Sequence, residues 1–217
     1  MAWRPDDTRI VTTRPNAQEV LIWDAAAGKL LHNLKHPLAV GTVSWSPNGD
    51  RLVTHSHATR TDGPVNVVSV FDAHTGATLS TADVGAPVFS PDGAHIAATR
   101  REGDDCRASF FVHILDPATG ATRHKLPVPS GIFAKAFSAD SRQLAVGCET
   151  GERFLIDVVS GELRAIEGHA DTVRWLQFTR NDGTLSSLSA EGDVLVTQLA
   201  RGTSIRFLGG GARVGSR

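Results

Sequence analysis

The sequence predicts an all-β fold made of about five similar four-stranded antiparallel units. Three observations lead to this prediction. A phrase consisting of an apolar residue, aspartate, any three residues and glycine recurs along the 217 residues. A second marker, an aromatic residue followed by a turn sequence, precedes each copy of the phrase. Short β-branched and apolar segments connect the markers, and such segments favour strands over helices.

The aspartate–glycine phrase sets the repeat length. Its aspartates lie about 40 to 50 residues apart, which is the period of a supersecondary unit too small to bury its apolar face alone. We expect each copy to form the turn between the third and fourth strands of a unit. This repeat architecture favours a binding function over catalysis. The phrase stands at Trp23–Gly28, Phe71–Gly76, Leu115–Gly120 and Ile156–Gly161.

The aromatic marker predicts a tight turn between the first and second strands. Proline pre-sets φ, and Asn-Gly or Asp-Gly accepts positive φ, so these sequences are typical of turns between antiparallel strands. The copies begin at Trp3, Trp45, Phe89, Phe137 and Phe178. They divide the chain into units approximately at 1–36, 37–83, 84–129, 130–167 and 168–209, followed by a flexible C-terminal tail at 210–217.

Each unit has room for four strands, as the second unit illustrates. A first strand at Leu38–Ser44 precedes the marker, and a second strand at Arg51–Thr54 follows it. The third strand, Val65–Phe71, runs into the aspartate–glycine turn, and the fourth begins at Ala77. Apolar residues on both sides of these strands predict that the units stack with both faces covered.

A four-stranded antiparallel unit with this period resembles a blade of a WD-repeat β-propeller. The resemblance lies in Trp23-Asp24 at the end of a third strand, the Ser-Pro-Asn-Gly and Ser-Pro-Asp-Gly turns at 46–49 and 90–93, and Gly168-His169 in the fifth unit. The chain is similar to a divergent, prokaryote-like member of that family. The resemblance implies a β-propeller of about five blades, and a non-enzymatic scaffold that binds a protein or peptide partner on one face.

In WD-repeat proteins a histidine, a serine or threonine, an aspartate and the tryptophan can form a buried hydrogen-bonded set. No unit of this sequence holds all four residues. The fifth unit comes closest, with His169 and Ser189, but Glu191 stands near the aspartate position and Thr197 replaces the tryptophan. We therefore expect apolar packing to provide most of the stability of the blades.

Composition gives no sign of a nucleic-acid or membrane partner. Lys and Arg number 22 and Asp and Glu number 23, so the formal net charge of -1 attracts neither polyanions nor anionic membranes. No stretch approaches membrane-spanning length, and the N-terminus lacks the apolar run of a secretory signal. Cys106 and Cys148 are isolated, as in a reduced chain. The sequence therefore predicts a cytoplasmic protein that needs no cofactor.

Two consecutive units are longer than the others. The distance from the marker to the phrase is about twenty residues in most units and about six residues longer in the second and third, and such insertions often bind partners. The extra residues fall at 57–64 and 100–107. The alternative is that both hairpins are neutral elaborations, since surface insertions cost little entropy. The predicted partner-binding residues are Arg60, Asp62, Arg101, Asp104, Asp105 and Arg107.

Other chemistry has weaker support. His55 and His57 would share one face of a strand and could chelate a metal, but the spacing fixes no third ligand, so no metal site is predicted. A propeller hydrolase would need acidic residues from several innermost strands, and Asp171 is the sole carboxylate in the predicted ones. Acidic neighbours balance Arg100-Arg101, which argues against nucleic-acid binding. A hydrolase is the weakest of the function hypotheses.

The ends of the sequence do not match a closed ring. The first unit starts two residues before Trp3, so most of its innermost strand is missing from the sequence. We expect the chain to be the C-terminal part of a larger propeller, with a closed five-bladed ring as the alternative. The leading function hypothesis is the protein-binding scaffold. The second is a sensor or accessory propeller of a larger signalling or enzyme polypeptide.

Overall fold

The computed structural model describes residues 1–14, 16–60, 63–103 and 108–208, with the backbone alone at 59, 60, 63 and 64. Throughout these ranges the regular structure consists of β-strands, which form five four-stranded antiparallel sheets. The same ranges contain no helix, and so none long and apolar enough to cross a membrane. The predicted all-β fold with five four-stranded antiparallel units is confirmed.

In every sheet the four strands lie side by side in chain order. The first sheet contains β1 (Ala2–Trp3), β2 (Arg9–Thr12), β3 (Glu19–Asp24) and β4 (Leu30–Lys35). The second contains β5 (Val40–Trp45), β6 (Arg51–Arg60), β7 (Gly63–Asp72) and β8 (Thr78–Ala82). The third contains β9 (Gly85–Phe89), β10 (Ile96–Glu102), β11 (Ser109–Leu115) and β12 (Thr122–Val128). The fourth contains β13 (Ile132–Phe137), β14 (Gln143–Cys148), β15 (Arg153–Asp157) and β16 (Leu163–Ile166). The fifth contains β17 (Val173–Phe178), β18 (Thr184–Ser189), β19 (Val194–Gln198) and β20 (Thr203–Phe207).

The chain divides into two compact units, residues 1–127 and residues 128–217. In the first unit one apolar core joins the first and second sheets, and another joins the second and third. In the second unit a core joins the fourth and fifth sheets. Neighbouring sheets within each unit therefore pack face to face.

The aspartate–glycine phrase forms a turn between the third and fourth strands, as expected. Asp72 Oδ1 accepts the backbone N–H groups of His74 and Thr75 at 2.9 and 2.8 Å, and the turn closes at Gly76 with φ of 73°. The hydrogen bonds from Thr75 hold the pKa of Asp72 below its usual value. Equivalent carboxylate bonds occur at Asp24, Asp116 and Asp157.

The turn after each aromatic marker uses a hydroxyl side chain. In the second sheet Ser46 Oγ donates to Asn48 Oδ1 at 2.7 Å and accepts the backbone N–H of Arg51 at 2.9 Å. Gly49 supplies the positive φ, 74°, that closes the turn. Bonds of the same pattern are made by Ser90, Ser138 and Thr179.

The additional residues of the second sheet lengthen its strands. β6 and β7 are each 10 residues long, and their pairing continues as far as Arg60 opposite Gly63. In the third sheet β10 and β11 are each 7 residues long, and their pairing ends at Glu102 opposite Ser109. Much of the predicted hairpin at 57–64 is therefore paired strand.

Candidate functional site

The first strands of the second, fourth and fifth sheets share a bulge. Their pairing with the second strand skips one residue, which is Gly41, Phe133 or Arg174. Each skipped residue stands four positions before the aromatic marker. A bulge leaves its extra residue outside the ladder and redirects that side chain. The repeat therefore presents one redirected residue at the same end of each of these strands.

In the second unit two bulge residues, Phe133 and Arg174, form an exposed pair, here called the bulge pair. The Phe133 ring is 51% exposed, and the Arg174 guanidinium carbon lies 5.1 Å from the ring centroid. This distance permits a cation–π interaction. Arg174 is exposed, and its guanidinium makes no hydrogen bond or ion pair with any residue in the described ranges. Its N–H groups remain available to a carboxylate on another molecule.

The strands that carry the bulge pair hold further apolar and basic groups. Trp175 follows Arg174 in β17 and is 44% exposed. Lys135 lies two residues after Phe133 in β13 and is half-buried, and burial lowers the pKa of its ammonium group to about 8. Within the described ranges no carboxylate pairs with this ammonium group. Aromatic and arginine side chains are the residue types that contribute most binding energy at protein interfaces.

The structure places Asp171 immediately before β17, where it is half-buried. Its Oδ1 accepts the backbone N–H of Thr172 at 2.6 Å. Thr172 Oγ1 in turn donates to the carbonyl oxygen of Glu149 at 2.7 Å. The carboxylate is thus engaged at the start of a strand. No group of three or more His, Cys, Asp or Glu residues that could hold a metal is found among the described residues.

His55 and His57 do share one side of β6, with ring centroids 5.7 Å apart. His55 Nε2 lies 3.0 Å from Asn66 Oδ1 of β7. The His57 ring packs over the bulge residue Gly41, where an added Cβ would stand 2.9 Å from its Cε1 atom. Glycine at this bulge therefore makes room for the histidine, and the pair has a packing role in the second sheet.

The predicted hairpin residues are mostly outside the described side chains. Arg101 lies in β10 opposite Phe110 and is exposed. Arg60 ends β6, and its backbone alone is described. Asp62, Asp104, Asp105 and Arg107 lie outside the described residues. The proposed role of this set stays a prediction.

Charged groups at the base of the third-sheet hairpin pair with one another. Lys125 Nζ lies 2.8 Å from both carboxylate oxygens of Glu102 and 4.1 Å from the Phe111 ring centroid. Arg100 contacts Glu102 at 3.2 Å and Asp83 at 3.0 Å. The hydrogen bond from Lys125 holds the pKa of Glu102 below its usual value. These residues are therefore less available to a partner than Arg174 is.

A buried arginine, which the sequence did not suggest, joins the fourth and fifth sheets. Arg153 of β15 is 0% exposed. Its Nε donates to the Glu167 carbonyl at 2.6 Å, its Nη1 to Ser187 Oγ at 2.8 Å and its Nη2 to Thr197 Oγ1 at 2.9 Å. No described carboxylate lies within ion-pair distance. Burial lowers the pKa of Arg153 to about 10, so the guanidinium remains charged at neutral pH.

His169 completes this buried cluster, with Ser187 as its partner. His169 Nε2 lies 2.7 Å from Ser187 Oγ. Ser189, the partner suggested by the sequence, instead accepts the backbone N–H of Asp193. Because Ser187 Oγ accepts from Arg153, its own proton is available for a neutral imidazole. Burial, followed by the nearby Arg153 cation, lowers the pKa of His169 to about 4, which keeps the ring neutral at pH 7.

A comparison of the sequence with known protein families finds no match. The functional features of this chain therefore have to be inferred from its own geometry. The sequence analysis missed the bulge pair because it searched the first strands for carboxylates only. A signal was present, since Phe133 and Arg174 both stand four residues before an aromatic marker. Arg153 also had a weak signal, as a charged residue at the start of an apolar strand.

Proposed function

We propose that this protein is a non-enzymatic interaction module with a WD-repeat-like β-propeller fold, which binds a protein or peptide partner through the bulge pair. The propeller assignment is supported by five four-stranded sheets with strands in chain order and by face-to-face packing of neighbouring sheets within each unit. The sequence resemblance to WD-repeat proteins points in the same direction.

The observation that carries the binding function is the exposed Phe133 ring beneath an Arg174 guanidinium without any other partner in the described ranges. Side chains that serve only the fold are buried or paired, as Arg153 and Lys125 are. An apolar ring and a forked cation side by side suit an aliphatic or aromatic residue next to a carboxylate. The favoured partner is therefore an acidic segment with an adjacent apolar residue.

The proposal can be tested with an array of peptides that pair Asp or Glu with an apolar neighbour. A second array carries Asn or Gln in place of each acid. We expect the intact protein to bind a subset of the acidic peptides and to lose them in the amide array. Arg174→Gln and Phe133→Ala should each weaken binding by about 30-fold, which corresponds to about 2 kcal/mol for an interface hot spot.

Val159→Ala provides a matched control, because Val159 is 78% exposed in a turn of the same unit and lies outside the bulge pair. This variant should bind as the intact protein does. A further variant that shortens both long hairpins tests the surface predicted from the sequence. If hairpin shortening abolishes binding while Arg174→Gln and Phe133→Ala leave it unchanged, the bulge pair is not the binding site.

A further inference from the structure

Equivalent rows of side chains cross each sheet and identify its two faces. In the fourth sheet Ala134, Gly147, Arg153 and Ile166 form a row whose face packs on the fifth sheet. We call this side the forward face of a sheet. In the second sheet Trp45, Leu52 and Phe71 form a row on the opposite side, which packs on the first sheet. We call this side the backward face.

The forward face of the fifth sheet is apolar and uncovered. The row equivalent to that of Ala134 consists of Trp175, Leu188, Val194 and Phe207. Trp175 is 44% and Phe207 56% exposed, and Ile205 in the next row is 59% exposed. In β18 buried and half-buried residues alternate, whereas five consecutive residues of β14 are buried. The fifth sheet is therefore covered on one face only.

The backward face of the first sheet is uncovered in the same way. Its row consists of Trp3, Ile10, Trp23 and Leu30, which occupy the positions of the buried Trp45 row of the second sheet. Trp3 is 50% and Leu30 41% exposed. The Trp23 indole N–H already donates to Thr12 Oγ1 at 2.9 Å, so the ring offers an apolar surface.

The charges at the turn ends of these two faces are complementary. Where sheets pack, their first turns lie together: Asp182 accepts the backbone N–H groups of Ala139 and Asp140, and Arg4 contacts Asp50 at 3.7 Å. The turns of the fifth sheet carry exposed Arg180 and Arg201. The turns of the first sheet carry the acidic residues Asp6, Asp7 and Asp24. Stacking with aligned turns would bring the basic group of one face against the acidic group of the other.

We propose that the forward face of the fifth sheet binds the backward face of the first sheet of a second copy of this chain. Each chain carries both halves of the junction that its packed sheets already show. The exposed parts of Trp175 and Phe207 alone leave roughly 200 Å² of aromatic surface in solvent, and patches of a few hundred Å² mark association sites. The charge pattern selects this head-to-tail contact over a symmetric one, in which Arg180 and Arg201 would face their own copies.

Two face-blocking variants test the proposal by light scattering after size-exclusion chromatography across a wide range of protein concentration. Ile205→Asp blocks the fifth-sheet face, and Leu30→Asp blocks the first-sheet face. We expect the intact chain to form concentration-dependent multiples of its 23.1 kDa mass. Each variant alone should remain at the single-chain mass. An equimolar mixture of the two variants should form a two-chain complex and nothing larger, because it contains one competent junction.

Val159→Asp places the same charge on an exposed turn outside both faces and serves as the control, which should associate as the intact chain does. Circular dichroism of every variant checks that its β-structure is retained. A single-chain mass for the intact protein at every concentration overturns the proposal. So does a mixture that fails to form a complex, or an oligomer that only one of the two face variants disrupts, since that result describes a symmetric contact or another occupant.

Discussion

Replacement of Arg153 tests whether the buried guanidinium, or the space that it fills, stabilises the second unit. The side chain is 0% exposed and its three hydrogen bonds end on Glu167, Ser187 and Thr197. Arg153→Ala removes the charge, the bonds and the apolar stem together. Arg153→Met removes the charge and the bonds but keeps most of the stem volume. The difference between the two variants therefore isolates the packing contribution.

The structure gives the size of both effects. In either variant Ser187 keeps its bond with His169 and Thr197 keeps its bond with Ser204, so the Glu167 carbonyl is the group that loses a partner. One such loss costs about 1 to 2 kcal/mol, while removal of a desolvated cation offsets part of the lost bonding. We expect Arg153→Met to cost about 1 to 2 kcal/mol. Arg153→Ala should cost about 4 kcal/mol, because it also leaves a cavity.

Urea denaturation at pH 7, followed by intrinsic tryptophan fluorescence, measures both free energies of unfolding. Arg153→Lys is an informative third variant, since it keeps a charge but cannot reach three acceptors in a fixed fork. We expect it to be at least as destabilising as Arg153→Ala, because its ammonium group would be buried with fewer bonds. If Arg153→Met destabilises as much as Arg153→Ala, the reasoning is refuted, and the polar bonds rather than the filled volume hold the two sheets together.

Three further predictions concern pH and close packing. The pKa of His169 is lowered to about 4, so the unfolded chain binds its proton first, and stability should fall by about 3 kcal/mol between pH 6.5 and 4; His169→Gln should flatten this dependence in urea titrations at several pH values. Gly147→Ala should cost about 2 kcal/mol, because the new Cβ overlaps Val173, whereas Gly183→Ala, with its nearest atom at 3.6 Å, should cost less than 1 kcal/mol in the same assay. Asp72→Ala should cost about 1 kcal/mol at pH 7; because the folded pKa of Asp72 is lowered, this difference should vanish in acid, as thermal unfolding at both pH values can show.

The turns could be predicted from the sequence because their chemistry is local. Asp72 and Gly76 are four residues apart, and a carboxylate cap with a positive φ accounts for the whole turn. Ser187 and Ser189 could not be separated in this way. They lie two residues apart on one strand and share a face, so alternation assigns both the same environment. The choice between them depends on where His169 lies, which is a tertiary contact.

The bulge pair was harder to predict because a bulge breaks the two-residue period. Apolar alternation in β13 and β17 assigns Phe133 and Arg174 to a face, but each of them is outside the ladder. The comparison that finds them is between units rather than within a strand. Aligned on the aromatic markers, Gly41, Phe133 and Arg174 occupy one column. A column with side chains so different is typical of positions that the fold does not constrain.

Arg153 and Thr197 show how two departures from a repeat can compensate for each other. In their cross-strand rows Trp23, Phe71 and Thr197 occupy equivalent positions, opposite Ile10, Leu52 and Leu185. Threonine leaves unfilled the volume that an aromatic ring takes in the first two sheets. The Arg153 guanidinium, which comes from the preceding sheet, lies 2.9 Å from Thr197 Oγ1 and occupies this space. Each residue taken singly breaks the pattern of its strand, since one is a charge in an apolar strand and the other a small side chain at an aromatic position. Together they fill one site, and we infer that a change at either position constrains the other.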